Sequence, residues 1–161
     1  MSTASQILDA IRHKHPRLAV VPELTINDMW HREQPDLANI YRRRIDALMF
    51  DGGQRTALEI KVSKADAKRE TWHKTAPWRN VCHRFIYVTT PDISFSDIGD
   101  RSTPSGGANW ACGHWVVHPD GTVEVKRKAK VNKYPEPLPN DVILRLAYRA
   151  SGYRTIGDTD A

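Results

Sequence analysis

Cysteine is scarce in this chain of 161 residues: Cys82 and Cys112 are the only two. That is too few for a disulfide framework, and a four-ligand zinc site would need His83 and His114 as well. Cys82 and His83 are neighbours and would point to opposite faces of a strand, which counts against such a site. Long apolar runs are also missing. No stretch approaches the ~18 residues of a membrane span, and the N-terminus lacks a signal-peptide core, so a cytoplasmic location is the expectation. Acidic residues are outnumbered, 19 Asp and Glu against 24 Lys and Arg, for a net charge of +5 and a pI near 9.4. This balance suits a polyanionic partner. The remaining composition, 40% hydrophobic and 27% charged, is that of an ordinary folded chain. Residues 1–150 are read as one domain with a real core, and residues 151–161 as a flexible tail.

The most informative stretch runs from Arg42 to Val62, RRRIDALMFDGGQRTALEIKV. Two strand-favouring runs flank Asp51-Gly52-Gly53-Gln54, and the paired glycines supply the positive φ angles of a tight hairpin turn. A turn centred between Gly52 and Gly53 sets Asp46 opposite Glu59 and Arg44 opposite Lys61. Alternation then sends Arg44, Asp46, Glu59 and Lys61 to one face, and Ile45, Ala47, Met49, Leu58, Ile60 and Val62 to the other. The expectation is one core face and one chemical face. Two carboxylates facing each other across a strand pair repel unless a cation sits between them. Their hard oxygen donors favour Mg²⁺ or Mn²⁺ over zinc. Lys61 brings an ammonium beside that cation, where it can orient water or stabilise charge on a phosphate.

Asp46, twelve intervening residues, then Glu59-Ile60-Lys61 resembles the signature of the PD-(D/E)XK nuclease superfamily. Lys64-x-Asp66, Trp72 on a helix, and Cys82-His83-Arg84-Phe85-Ile86-Tyr87 entering a strand resemble its MmcB-like DNA-repair branch. The likeness spans roughly residues 18 to 150, with Ile45 in place of the proline that precedes the aspartate in the pattern. It implies an α/β, restriction-endonuclease-like fold, a mixed β-sheet flanked by helices. It also implies a Mg²⁺-dependent deoxyribonuclease acting in DNA repair or processing. Asp46 and Glu59 would coordinate the metal with the Ile60 carbonyl, Lys61 would position water, and Glu23 fits by order and spacing the upstream acidic residue that often completes the site. A solvated glutamate on an edge strand is the competing reading of Glu23.

Around this centre, residues 3–14 read as an amphipathic helix with Ile7, Leu8 and Ile11 on one face. Leu18 to Ile26 reads as a strand whose Pro22 suggests an edge or bulge. Asn27 to Tyr41 reads as a loop in which Trp30 and His31 either stack on a base or pack beneath the chain. Arg42, Arg43 and Arg44 suit a phosphate clamp or charge balance for the carboxylates. Ser63-x-x-Asp66 resembles a capping box opening a helix from Lys64 to about Thr75, ended by Pro77, with Ala65, Arg69, Trp72 and Ala76 on one stripe, Trp72 as core and Arg69 covering the rim. Lys64, Lys68, His73 and Lys74 fall on its exposed faces as phosphate contacts or plain solvated residues.

Phe85 to Thr89 reads as a buried strand reached by a helical crossover, which makes the chain α/β. The loop from Pro91 to Asn109 is polar. Trp115 to His118 and Thr122 to Val125 read as a second hairpin about Pro119-Asp120-Gly121. Lys126 to Lys133 is a basic run in which Lys126, Arg127 and Lys128 are candidate DNA contacts. A last helix spans about Asp141 to Ala150, with Val142, Leu144, Leu146 and Ala147 inward. A module that binds DNA without cutting it is the alternative, and nucleases that cut two strands often pair, so a homodimer fits the first reading.

Overall fold

The computed structural model describes residues 2–28, 42–99 and 110–152, so the expectations for Trp30 and His31 and for most of the loop at 91–109 fall outside it. It is α/β: a six-stranded mixed sheet with strands in chain order, flanked by helices. The strands are β1 (Ala19–Asn27), β2 (Arg42–Asp51), β3 (Gln54–Lys61), β4 (Arg84–Thr89), β5 (Gly113–Val117) and β6 (Val123–Arg127). Antiparallel pairs at either end enclose a parallel centre, β3 with β4 and β4 with β5. The helices are α1 (Ala4–Lys14), α2 (Lys64–Lys68), α3 (Trp72–Val81) and α4 (Asn140–Ala150). None of the described helices is long and apolar enough to cross a membrane.

The hairpin register is the expected one as far as Ala47–Leu58, beyond which the expected Asp46–Glu59 and Arg44–Lys61 pairs do not form. Asp51 pairs with Gln54 and Ala47 with Leu58, about a turn in which Gly52 takes φ 55. The expectation of a single core face was wrong, because both faces are covered. On one side Ile7, Leu8 and Ile11 of α1 pack on Ala47, Met49, Leu58, Ile60, Ile86 and Val88. On the other, α2, α3 and α4 bring Ala67, Trp78, Val81 and Val142 onto Leu48, Ala57, Phe85 and Tyr87. A parallel centre reached by helical crossovers is normally buried on both faces, which alternation along one hairpin does not reveal.

Ile45 also departs from strict alternation. It packs with Leu48 and Trp78, not with Ala47 and Met49. The β1–β2 pairing runs regularly on both sides of Glu23 and Asp46 but omits that pair, and Glu23 has φ 50, a conformation few non-glycine residues adopt. The kink re-aims the strand pair, so β1 likewise sends Val21 before it and Leu24 after it to the same cluster. Pro22 sits on an edge strand, where its missing N–H costs no ladder bond.

The expected helix from Lys64 to Thr75 is two helices. Ser63 Oγ caps the first by accepting from the Asp66 N–H at 3.1 Å, but the Asp66 carboxylate turns toward Lys61 instead of closing a capping box. The chain breaks at Arg69 to Thr71 and restarts at Trp72, and Pro77 lies inside α3 instead of ending it. The break resets the helical phase. Trp72 is therefore only half-buried and Ala65 is exposed, with Arg69 exposed on the rim, while Trp78 is the buried tryptophan among the described residues, its Nε1 donating to the Arg43 carbonyl at 2.9 Å. On α4 the inward stripe is Val142 and Leu146. Leu144, at 54% exposure, and Ala147 face outward, because the helix meets the sheet along one narrow line.

Candidate active site

Glu59 and Lys61 end β3 on the face turned to α2 and α3, and both are buried, at 4% and 1% exposure. The β2–β3 pairing stops at Ala47–Leu58. One more hydrogen-bonded pair would send the Ile60 N–H to the Ile45 carbonyl. It goes instead to Asp46 Oδ2 at 2.6 Å. The carboxylate thus occupies the opened end of the hairpin. Because the N–H and C=O of a strand residue leave on the same side, the Ile60 carbonyl is directed toward that opening too.

The charges here are dense. Lys61 Nζ lies 3.0 Å from Glu59 Oε1, 2.6 Å from Glu70 Oε2 and 3.6 Å from Asp66 Oδ2. Lys74 Nζ reaches the same two glutamates at 3.1 and 3.8 Å. Burial pulls the Lys61 ammonium down, but the charges of Glu59 and Glu70 and their hydrogen bonds outweigh it, leaving its pKa above the ordinary lysine range. Burial, followed by the charge of Glu59, pushes the Asp46 carboxyl up to about 6, while the Ile60 N–H, Lys61 and Arg44 pull the other way. Burial and Glu59 also raise the Glu70 carboxyl. Next to this cluster Arg79 donates to Thr75 Oγ1 and to the Tyr87 hydroxyl at 2.8 and 3.0 Å.

Asp46, Glu59, Ile60 and Lys61 are therefore together, although the paired register stops one residue short of Asp46. Glu70 was missed. It fell inside the expected helix from Lys64 to Thr75, where nothing set it apart; the signal was Thr71, a hydroxyl residue of the type found at N-caps, which marks the helix restart although its side chain makes no cap hydrogen bond. Lys74, expected on an exposed face, is folded onto Glu59. Glu23 stands opposite Asp46 by register but is exposed, and Arg149 binds the backbone carbonyls of Pro22 and Glu23. Among the described residues, none of the ion pairs that tie the cluster together involves Glu23.

Of the basic candidates, Arg42 and Arg44 are exposed at the start of β2, whereas Arg43 pairs with buried Asp28 at 3.2 Å. Lys64 and Lys68 are exposed on α2, directly after the site strand. Lys126, Arg127 and Lys128 are exposed on and after β6, three strands from Glu59. The zinc set does not assemble: among the described residues no three His, Cys, Asp or Glu side chains form a metal-binding group. His83 Nδ1 accepts from the Arg55 N–H, His114 Nε2 contacts Thr89 Oγ1, and burial pushes the Cys82 thiol up to about 12.

Of the expected magnesium ligands, Asp46, Glu59 and Ile60 lie at this end of the hairpin, with no third carboxylate or imidazole grouped with them for a metal among the described residues. That set fits a hard cation that retains waters.

No protein-family model matches the chain, and no curated protein matches it. Among solved structures it is similar to the SPO1766 protein of unknown function from Silicibacter pomeroyi, at 13% identity and a TM-score of 0.48, over 94% of this chain and 88% of that one.

Proposed function

We propose that this protein is a Mg²⁺-dependent deoxyribonuclease that hydrolyses phosphodiester bonds in DNA repair or processing. One observation carries the reading: a carboxylate pair at the opened end of a hairpin, with a buried lysine clamped beside it. A solvated hairpin has no use for this arrangement. Burying Lys61 and crowding Asp46 against Glu59 both cost stability unless the charges serve something.

Mg²⁺ or Mn²⁺ held by Asp46, Glu59 and the Ile60 carbonyl would supply a Lewis acid and a water of lowered pKa. The chain's own part follows from its charges. Lys61 stays protonated at neutral pH, so it does not accept the proton of the attacking water. It donates hydrogen bonds, either orienting that water or stabilising charge that grows on the phosphate. Glu59 and Glu70 hold its ammonium in place from two sides. Exposed Arg42, Arg44, Lys64 and Lys68 flank the opening as phosphate contacts.

A second reading has its own support. Lys61 and Lys74 already offset Glu59, as suits a nuclease-like module that binds DNA without cutting it. Incubating the protein with duplex, single-strand, flap and junction DNA in Mg²⁺ or Mn²⁺ separates the two. Cleavage of at least one form, abolished by EDTA, supports the nuclease; binding without cleavage of any form supports the module.

A further inference from the structure

Among the described residues, four of the seven large apolar side chains left exposed fall close together: Trp110 at 63%, Val125 at 47%, Val131 at 42% and Tyr134 at 90%. The same segment carries Lys126, Arg127, Lys128, Lys130 and Lys133, with no acidic residue between Glu124 and Glu136. All five basic residues are exposed.

The two chain segments are joined. The Lys130 N–H donates to the Ala111 carbonyl at 2.8 Å and the Asn132 N–H to the His83 carbonyl at 2.7 Å. Lys130 Nζ stands 3.7 Å from the centre of the Trp110 ring, and Arg127 bonds the Trp110 carbonyl at 2.8 Å while its guanidinium lies over Phe95. Cations are thus already seated against aromatic rings. Arg127 also shares a row of the sheet with His114, Tyr87 and Glu59, so the surface begins three strand spacings, about 14 Å, from the carboxylates. From there it runs away from Lys61, past the start of β5.

Exposed lysines alone describe any solvated face. Exposed tryptophan and tyrosine among them do not, since burying those rings is worth more than any other side chain can offer. Phosphates satisfy the lysines, and base faces satisfy the rings. A duplex hides its base faces in the stack, so the combination selects a strand whose bases are free.

We propose that Trp110, Tyr134 and the basic run form a binding platform for single-stranded nucleic acid, separate from the carboxylate site. The platform deepens the nuclease reading by naming a strand that the protein holds, yet binding there needs neither metal nor cleavage.

The test is fluorescence anisotropy with labelled oligo-dT, oligo-rU and a mixed-sequence duplex, using the full chain in EDTA. Wild type should bind the single strands more tightly than the duplex, with a log–log salt slope of about −0.7 per phosphate neutralised. Trp110→Ala and Tyr134→Ala should each weaken oligo-dT binding by about 5- to 100-fold, the scale of one lost base stack. Unchanged melting temperatures would show that both variants fold. Equal affinity for dT and rU, or a preference for either, identifies the strand type and supports the platform. The proposal is overturned if both variants bind oligo-dT like wild type, if the duplex binds best, or if poly-glutamate displaces oligo-dT as well as unlabelled oligo-dT does. Because every measurement is made without metal, an absence of nuclease activity would leave the outcome intact, and loss of the platform would leave the carboxylate site untouched.

Discussion

Asp46 is the residue most at odds with its surroundings, and its titration gives the sharpest stability prediction. Its carboxyl is raised from 3.8 to about 6 in the folded protein, so the folded state binds the extra proton between those values. Stability from this group is full below pH 4 and is lost as pH rises through about 6. Asp46→Asn removes the charge and keeps the shape, so at pH 7 the metal-free variant should be more stable by on the order of 2 kcal/mol, or several degrees in Tm. Below pH 4 the advantage should vanish. Thermal melts at pH 3.5 and pH 7 check this, and equal melting of the two proteins at pH 7 would remove the strained carboxylate. Mg²⁺ should raise the wild-type Tm more at pH 7 than at pH 5, because only ionised Asp46 can hold it.

Lys61 and Glu70 form the other residue-scale unit. Lys61→Ala should lower turnover by about 10²-fold or more while DNA binding in Ca²⁺ stays within a few-fold, the loss of one electrostatic stabiliser. The variant leaves Glu59 and Glu70 with Lys74 alone as a shared cation, so a lower Tm should accompany it. Lys61→Arg should not restore the rate, since a planar fork does not fit a pocket built around a compact ammonium. Glu70→Gln keeps the pocket filled and should cost about 10- to 100-fold in turnover, as supporting residues of metal sites do. If its single-turnover rate matches that of wild type, Glu70 only balances charge.

At the scale of elements, the hairpin was legible because glycine pairs and period-two alternation act over a few residues. Those signals were enough to expect Asp46, Glu59 and Lys61 at one end of the hairpin, though not the opening found there. What escaped were features set by distant packing. The kink at Glu23, beside which Ile45 turns to the face of Leu48, lies where Arg149 of α4 bonds the backbone carbonyls of Pro22 and Glu23. The break at Arg69 to Thr71 is a conflict between a helix-favouring run and the pull of Lys61 on Glu70. Trp78 was overlooked because it follows Pro77, which reads locally as a helix stop. Its core role gives an element-scale prediction: Trp78→Phe removes the indole donor to the Arg43 carbonyl and part of the packing between α3 and β2, and should cost about 1–3 kcal/mol. Urea denaturation checks it. A loss within 0.5 kcal/mol, roughly the scatter of surface substitutions, would mean that the tryptophan is not what ties α3 to the sheet.

Across the whole molecule, the α/β class and the mixed sheet follow from the crossover between β3 and β4, while the double-sided core is a consequence of that topology that no single segment announces. The carboxylate opening and the basic surface lie at different places on one sheet, so a polymer that engages both must cross several strands. DNA affinity should accordingly fall steeply with salt, since contacts spread over both regions neutralise several phosphates at about −0.7 to −0.9 per contact. A flat dependence would take nucleic acid off the list of partners.

The central claim is that Asp46 and Glu59 hold a metal for phosphodiester cleavage. Its most direct measurement is the single-turnover cleavage rate of the best DNA form, titrated with Mg²⁺, for wild type and Glu59→Gln side by side. The account predicts a saturable Mg²⁺ dependence in wild type and no cleavage in Glu59→Gln at any Mg²⁺ concentration, with the variant folded and still bound to DNA. Equal rates in the two proteins, or cleavage that persists in EDTA, would contradict it.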